Sequence, residues 1–200
     1  MPAMNGSVRF FAAMLALFSC MLAACHHNPD PDTVLLNAWR LCEKLSYTEA
    51  YPLVLESLQA APGNAVAHYL LGRCFFTQSP PQLTRAKGEY DLALQLLDKN
   101  GDLSVLAGKM SEEEFRATLH CDTALALLQT VVEAEKAGMP PRTAVGVMKT
   151  ALFHVNEGLR FNPASSFLQE LSQTLRHMVD VMNESGTFQE AEPEAPHYFI

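Results

Sequence analysis

Apolar residues fall into two regimes along this chain. From Phe10 to Ala24 every position is apolar or small, an unbroken run of fifteen. Beyond it the apolar residues recur at helical spacing. Leu35, Ala38, Leu41 and Leu45 form one stripe, while Leu92, Leu96 and Val105-Leu106 extend others. Leu119, Leu127, Leu128 and Val131 mark a long helix expected from Ser111 to Ala137. No alternating run of strand character stands out. The pattern predicts an all-α protein of about seven helices built as antiparallel hairpins.

Polar punctuation divides these stripes. Ser46-Tyr-Thr-Glu49, Ser79-Pro-Pro-Gln82 and Ser111-Glu-Glu-Glu114 each fit a capping box, with a hydroxyl at the N-cap and Glu or Gln at N3. Asn64 and Ser165 are further expected caps. Breaks are expected at Ala61-Pro62-Gly63, Asn100-Gly101, Gly138-Met-Pro-Pro141 and Asn162-Pro163. Pro52 lies beyond the first turn if Ser46 is the cap, so it should kink that helix or delay its start.

The N-terminal run is too short to span a bilayer as a helix. Fifteen residues rise about 22 Å against a hydrocarbon core of about 30 Å. With Arg9 ahead of it and small residues behind, the segment reads as a secretory signal peptide. Leu22-Ala23-Ala24-Cys25 resembles the lipobox of bacterial lipoproteins. That resemblance implies that Cys25 becomes the acylated first residue of the mature chain. Leu17-Phe18-Ser19-Cys20 fits less well, because Phe18 stands where the family has a small or β-branched residue. A cleaved soluble protein and an uncleaved anchor are the alternatives. Several acyl chains are needed because one gives only marginal membrane binding. His26 rather than Asp follows the cysteine, which by the same resemblance favours the periplasmic leaflet of the outer membrane.

Loss of residues 1–24 removes Arg9 and leaves 176 residues with a formal charge of −9, enough for one domain. The expected divisions are a signal peptide (1–24), a lipidated tether (25–32), a helical domain (33–183) and an acidic tail (184–200) that reads as disordered. No basic block is present, so nucleic acid is not an expected partner. An acidic body gains nothing from anionic lipid, leaving the acyl chains on Cys25 as the membrane contact.

A repeat is written into the helical region. Ala50-x3-Val54-x2-Ser57-Leu58-x3-Pro62 is followed by Ala67-His-Tyr-Leu-Leu71-Gly72-x2-Phe75, then Ala86-x3-Tyr90-x2-Ala93-Leu94, and later Gly158-Leu159-x3-Pro163. These pieces resemble tetratricopeptide repeats, helix hairpins of about 34 residues. The match is good over residues 46–98, partial over 31–45 and 144–183, and weak between. Asn37-Ala38 replaces Leu-Gly in the first unit, and Asp98 replaces the closing proline of the second. The resemblance implies a right-handed superhelix of about three repeats plus a C-terminal helix, in which Gly72, Ala86 and Ala93 permit close approach. An irregular helical bundle is the alternative.

Candidate chemistry is sparse. His26-His27 sits in a Pro-rich tether, and His120-Cys121 is adjacent rather than spaced for one helix face. No HExxH, CxxC, P-loop, GxSxG or GxGxxG spacing occurs, so neither an enzyme nor a resident metal or cofactor is expected. Three mature cysteines besides Cys25 remain: Cys42, Cys74 and Cys121. Cys42 and Cys74 fall near the ends of adjacent first helices at non-equivalent positions. Packed helices lie about 8–10 Å apart, whereas a disulfide needs Cα atoms within about 7 Å, so buried free thiols are expected. The repeat resemblance implies a partner-binding groove lined by Leu35, Trp39, Glu43, Val66, Tyr69, Arg73 and Phe76. Trp39 and Phe76 could instead pack on each other or on a neighbouring helix. The expected function is a membrane-anchored scaffold that holds an unidentified protein partner in envelope assembly or secretion. The alternative is a metal- or redox-active periplasmic protein using His120, Cys121 and a second histidine such as His154.

Overall fold

The computed structural model describes residues 30–99, 101–138 and 140–184. The expected signal peptide, Cys25 and the tail beyond Glu184 lie outside the described residues. Within them the chain is all-α, with seven α-helices: α1 (Pro31–Glu43), α2 (Tyr47–Ala60), α3 (Ala65–Phe76), α4 (Leu83–Asp98), α5 (Glu112–Lys136), α6 (Pro141–Phe161) and α7 (Ser166–Glu184). A short 3-10 turn, Ser104–Leu106, interrupts the connector before α5. No described helix is long and apolar enough to cross a membrane.

Local signals explain most of the boundaries. Asn64 accepts from the Ala67 N–H at 3.0 Å and Ser165 from the Leu168 N–H at 3.3 Å, each satisfying a donor that the helix start leaves free. The expected capping box at α5 is complete: Glu114 N–H donates to Ser111 Oγ at 3.1 Å, and Ser111 N–H donates to Glu114 Oε2 at 2.8 Å. Two boundaries differ from expectation. Helix α4 starts at Leu83 with Gln82 at its N-cap, so Ser79-Pro80-Pro81 belongs to the turn and does not cap it. Ser46 precedes α2, but its carbonyl, not its hydroxyl, takes the first bonds, from Glu49 and Ala50. Pro52 is accommodated inside α2 without delaying its start.

Leu45 does not continue the first stripe. It takes φ +60°, its N–H bonds the Cys42 carbonyl at 3.0 Å, and the Ser46 N–H bonds the Leu41 carbonyl at 2.9 Å. That pair of bonds is a Schellman closure with leucine in the left-handed position usually given to glycine. The side chain is left 71% exposed, so the apolar face of α1 ends at Cys42.

Consecutive helices pack as antiparallel neighbours, and α1 also packs on α3, and α3 on α5. One core joins α1 to α4 with the first half of α5 and includes Leu35, Tyr69, Phe75, Tyr90 and Phe115. Two smaller cores lie among α5, α6 and α7. Helix α5 serves both halves because its 25 residues outrun its neighbours in the first.

The seam between α3 and α4 is close at Gly72. A Cβ built on Gly72 would lie 2.4 Å from Tyr90 Cε1, 2.5 Å from Cδ1 and 3.1 Å from the Ala86 carbonyl oxygen. Ala86 and Ala93 are fully buried on the facing helix. His68 locks the same seam: Nδ1 faces Glu89 Oε2 at 2.7 Å and Nε2 faces the Pro62 carbonyl at 2.9 Å. Gly158 plays the corresponding part for α6, where an added Cβ would stand 3.2 Å from Leu168 Cδ1 and 3.4 Å from the Ala117 carbonyl oxygen.

Candidate functional site

The side chains expected to line a groove divide between the interior and its rim. Leu35 and Val66 are fully buried, and Tyr69 is 1% exposed. Trp39 is 7% exposed, its ring 6.0 Å from that of Tyr69 and 6.4 Å from that of Phe115. Tyr69 and Phe115 meet edge to face at 5.2 Å. Phe76 and Arg73 are half-buried, and Glu43 is exposed. The structure thus brings Trp39 and Tyr69 together in the core, with Phe115 of α5 as the third ring. Trp39 does not pack on Phe76 in an aromatic pair.

Part of the cover, besides Phe115 of α5, comes from residues 101–111 between α4 and α5. Leu106 is buried in the same core as Leu35 and Trp39, and Leu103, Val105 and Met110 pack against it. The 3-10 turn rests on α1. Asp102 shapes the entry to that turn by accepting from the Ser104 N–H at 2.8 Å. An apolar segment of the chain itself therefore covers part of the surface that shorter connections would leave open.

A polar cluster remains at the rim, where α1, α2, α3 and α5 converge. Arg73 Nη2 donates to Tyr47 Oη at 2.8 Å and Nη1 to Tyr69 Oη at 3.4 Å. Tyr69 Oη–H donates to Asp122 Oδ2 at 3.0 Å, and Arg73 Nε stands 3.8 Å from the same oxygen. The guanidinium carbon also lies 5.5 Å from the Tyr47 ring centre and 5.9 Å from that of Tyr69. Trp39 Nε1–H donates to Glu43 Oε1 at 2.7 Å.

Burial governs the charges here. It opposes the Arg73 cation, but the facing Tyr69 and Asp122 oxygens outweigh it and hold its pKa above the ordinary value. Burial raises the Asp122 carboxyl, an effect that Arg73 and the Tyr69 hydrogen bond offset in part. Burial and Asp122 raise Tyr69 well above a free phenol. The result is an oriented Arg–Tyr–Asp network with part of Arg73 and Glu43 facing solvent. Asp122 was not among the expected groove residues, because its stretch of α5 carries no recognisable repeat motif.

A second cluster lies at the α5–α6 seam. His120 Nδ1 and His154 Nδ1 are 3.1 Å apart, and each residue is 8% exposed. Phe161 stacks on His120 at 5.9 Å, and Phe153 meets His154 edge-on at 5.4 Å. Burial and the His154 ring lower His120 to about 4, and burial likewise lowers His154. The bond needs an Nδ1–H on one ring and a bare Nδ1 on the other, so the accepting ring is neutral. Cys121 is turned away into the core of α5, α6 and α7, where burial pushes its thiol up to about 12. Among the described residues no group of three or more His, Cys, Asp or Glu side chains is arranged to hold a metal ion. No protein family's sequence profile matches the chain, and no curated protein matches it significantly.

Proposed function

We propose that this protein is a non-catalytic interaction scaffold of the bacterial envelope. Acyl chains on Cys25 would anchor it to the periplasmic leaflet of the outer membrane, and a tetratricopeptide-like superhelix would hold a protein partner near that surface. The observation that carries the reading is the packing of α1 and α5 on α3, with Arg73, Tyr47, Tyr69 and Asp122 linking α2, α3 and α5 at the rim. Hairpin packing through Gly72 against Tyr90, at the motif position for close approach, supports the repeat assignment.

Burial redefines the contact residues. Trp39 and Tyr69 are framework, while Glu43, Arg73 and the solvent-facing edge of Tyr47 are what a partner would meet. Arginine and tyrosine are frequent interface hot spots. Affinity capture from detergent-solubilised envelopes, read by mass spectrometry, tests this. A partner retained by the wild type and lost with Arg73→Ala and Glu43→Lys, at unchanged helicity, is the expected result. Unchanged capture refutes the contact assignment. Cys25→Ser should leave an unlipidated precursor, and Cys20→Ser should change nothing.

One observation favours a second reading, metal binding at the seam histidines. The 3.1 Å separation of His120 and His154 Nδ1 suits two ligands on one transition-metal ion, with water completing the shell. Stoichiometric zinc or copper in the purified protein, lost in His120→Ala, would reverse the ranking. Metal-free protein with unchanged stability on zinc addition dismisses it.

A further inference from the structure

Seven large apolar side chains stay exposed among the described residues. Four are scattered: Leu45 in a turn, Leu92 on α4, Val132 on α5 and Phe153 on α6. The other three share α7: Phe167 is 52% exposed, Met178 44% and Val181 47%. With half-buried Leu171 and exposed Thr174 they form one row, at 167, 171, 174, 178 and 181. Alternating steps of four and three residues keep a row on one side of a helix and are the spacing of a helix-pairing seam. The protein's own core takes the adjacent row instead. Leu168, Ser172, Leu175 and Val179 are buried there, with Leu171 at the edge.

Charges border the exposed row on its outer side. Glu170 and His177 are both exposed, and neither has a hydrogen-bond or ion-pair partner among the described residues. Two copies of α7 laid antiparallel about a two-fold axis at Thr174 satisfy both. In that register Phe167 meets Val181 of the second copy, Leu171 meets its Met178, and Glu170 meets its His177. The same contacts recur across the axis, as a two-fold interface requires. Imidazole can donate an N–H to a carboxylate in either protonation state. A parallel pair leaves the two charges unmatched, because they would face Leu175 and Met182, which pack into the protein's own core. The chain beyond Glu184 is a poorer occupant. It brings Glu190, Glu192 and Glu194 against one histidine, His197, and so mostly repeats the charge of Glu170.

We propose that this row is a self-association surface: α7 pairs antiparallel with α7 of a second copy, and Glu170 and His177 set the direction. The row runs about 21 Å along the helix. One helix pair of that length covers less than the roughly 800 Å² per partner of a standard interface, so the dimer is a weak one. It needs neither the anchor at Cys25 nor the rim around Arg73, although an anchor would raise the local concentration of copies.

Thiol cross-linking of the full chain in cells tests this. Thr174→Cys places a thiol on the axis, so a short bis-maleimide should give a band at twice the monomer mass. Asp180→Cys, exposed about 120° further round α7, should give none. The parent chain is the background, its Cys42 and Cys74 being buried and unpaired. Adding Met178→Asp to the Thr174→Cys chain should abolish the band at unchanged helicity. Adding His177→Glu sets carboxylate against carboxylate and should lower the yield several-fold. Glu170→His on top of it should restore the yield, because the exchange preserves the antiparallel pairing. Absence of the band, its survival in Met178→Asp, an equal band from Asp180→Cys or no rescue by the exchange overturns the proposal. An adduct of another mass assigns the row to a different protein, and a dimer band that appears only after deletion of residues 185–200 assigns it to the chain's own tail; either result also overturns it.

Discussion

Gly72→Ala is the sharpest perturbation of the hairpin packing. The added methyl would stand 2.4 and 2.5 Å from two carbons of the Tyr90 ring and 3.1 Å from the Ala86 carbonyl. Neither neighbour yields easily. Tyr90 is 1% exposed with its ring 6.0 Å from that of Tyr69, and the Ala86 oxygen is backbone. Forcing a methyl into a packed interior costs about 1–3 kcal/mol. Against that, alanine in a helix interior gains about 1 kcal/mol over glycine. Gly88 supplies the control, since it lies in α4, is exposed, and an added Cβ meets nothing within 4 Å. Gly88→Ala collects the helical gain alone, so the difference between the two variants isolates the steric cost of about 1–3 kcal/mol. In thermal unfolding followed by helical circular dichroism, that gap is roughly 2–12 °C, with Gly88→Ala above wild type. Equal upward shifts for the two variants would refute close α3–α4 packing.

The other expectations are simpler. Leu45→Gly should stabilise the protein by about 1 kcal/mol, because it relieves a left-handed leucine whose side chain is mostly in water; a destabilised variant in urea titration would contradict the Schellman closure. Ser111→Ala should cost about 1 kcal/mol and Glu114→Gln much less, since glutamine preserves the reciprocal bond; equal effects would mean the box does not hold in solution. Acidification should weaken the α5–α6 seam. The folded-state pKa of His120, about 4, lies below its ordinary 6.5, so between these values the unfolded chain binds a proton the folded chain refuses. Stability should therefore fall as pH drops through that window, by up to about 1.4 kcal/mol per unit. The groups facing the pair are Glu157, Arg116 and Asp98 for His120, and Asp91, Lys87 and Glu157 for His154. His120→Gln should flatten the dependence in urea titrations at pH 4 to 7; an unchanged slope sinks the assignment.

What could be read from sequence was mostly local. Asn64, Ser111 and Ser165 cap the helices expected of them because a cap needs only a side chain and an N–H three positions away. The same locality failed at Ser79, where two prolines and a turn delayed α4 to Leu83. Leu45 joined the apolar stripe on paper, yet its backbone turns left-handed and exposes it. The larger miss was non-local. Nothing in residues 99–111 taken alone says that Leu103, Val105 and Leu106 will pack over the face holding Leu35 and Trp39. His120 and His154 are 34 positions apart on different helices, and only the α5–α6 register makes their ring nitrogens meet. Asp122 likewise acquires its role from Tyr69 and Arg73, which approach it from another hairpin.

Site-specific photo-crosslinking in cells tests the central claim most directly. A photoreactive side chain placed at Glu43 or Arg73, on the converging face, is compared with one at Glu56 or Gln59, exposed on α2. The scaffold reading predicts one discrete protein adduct from both 43 and 73, with none from 56 or 59. Adducts from α2 alone, or no adduct from either face position with the protein folded and lipidated, would contradict it.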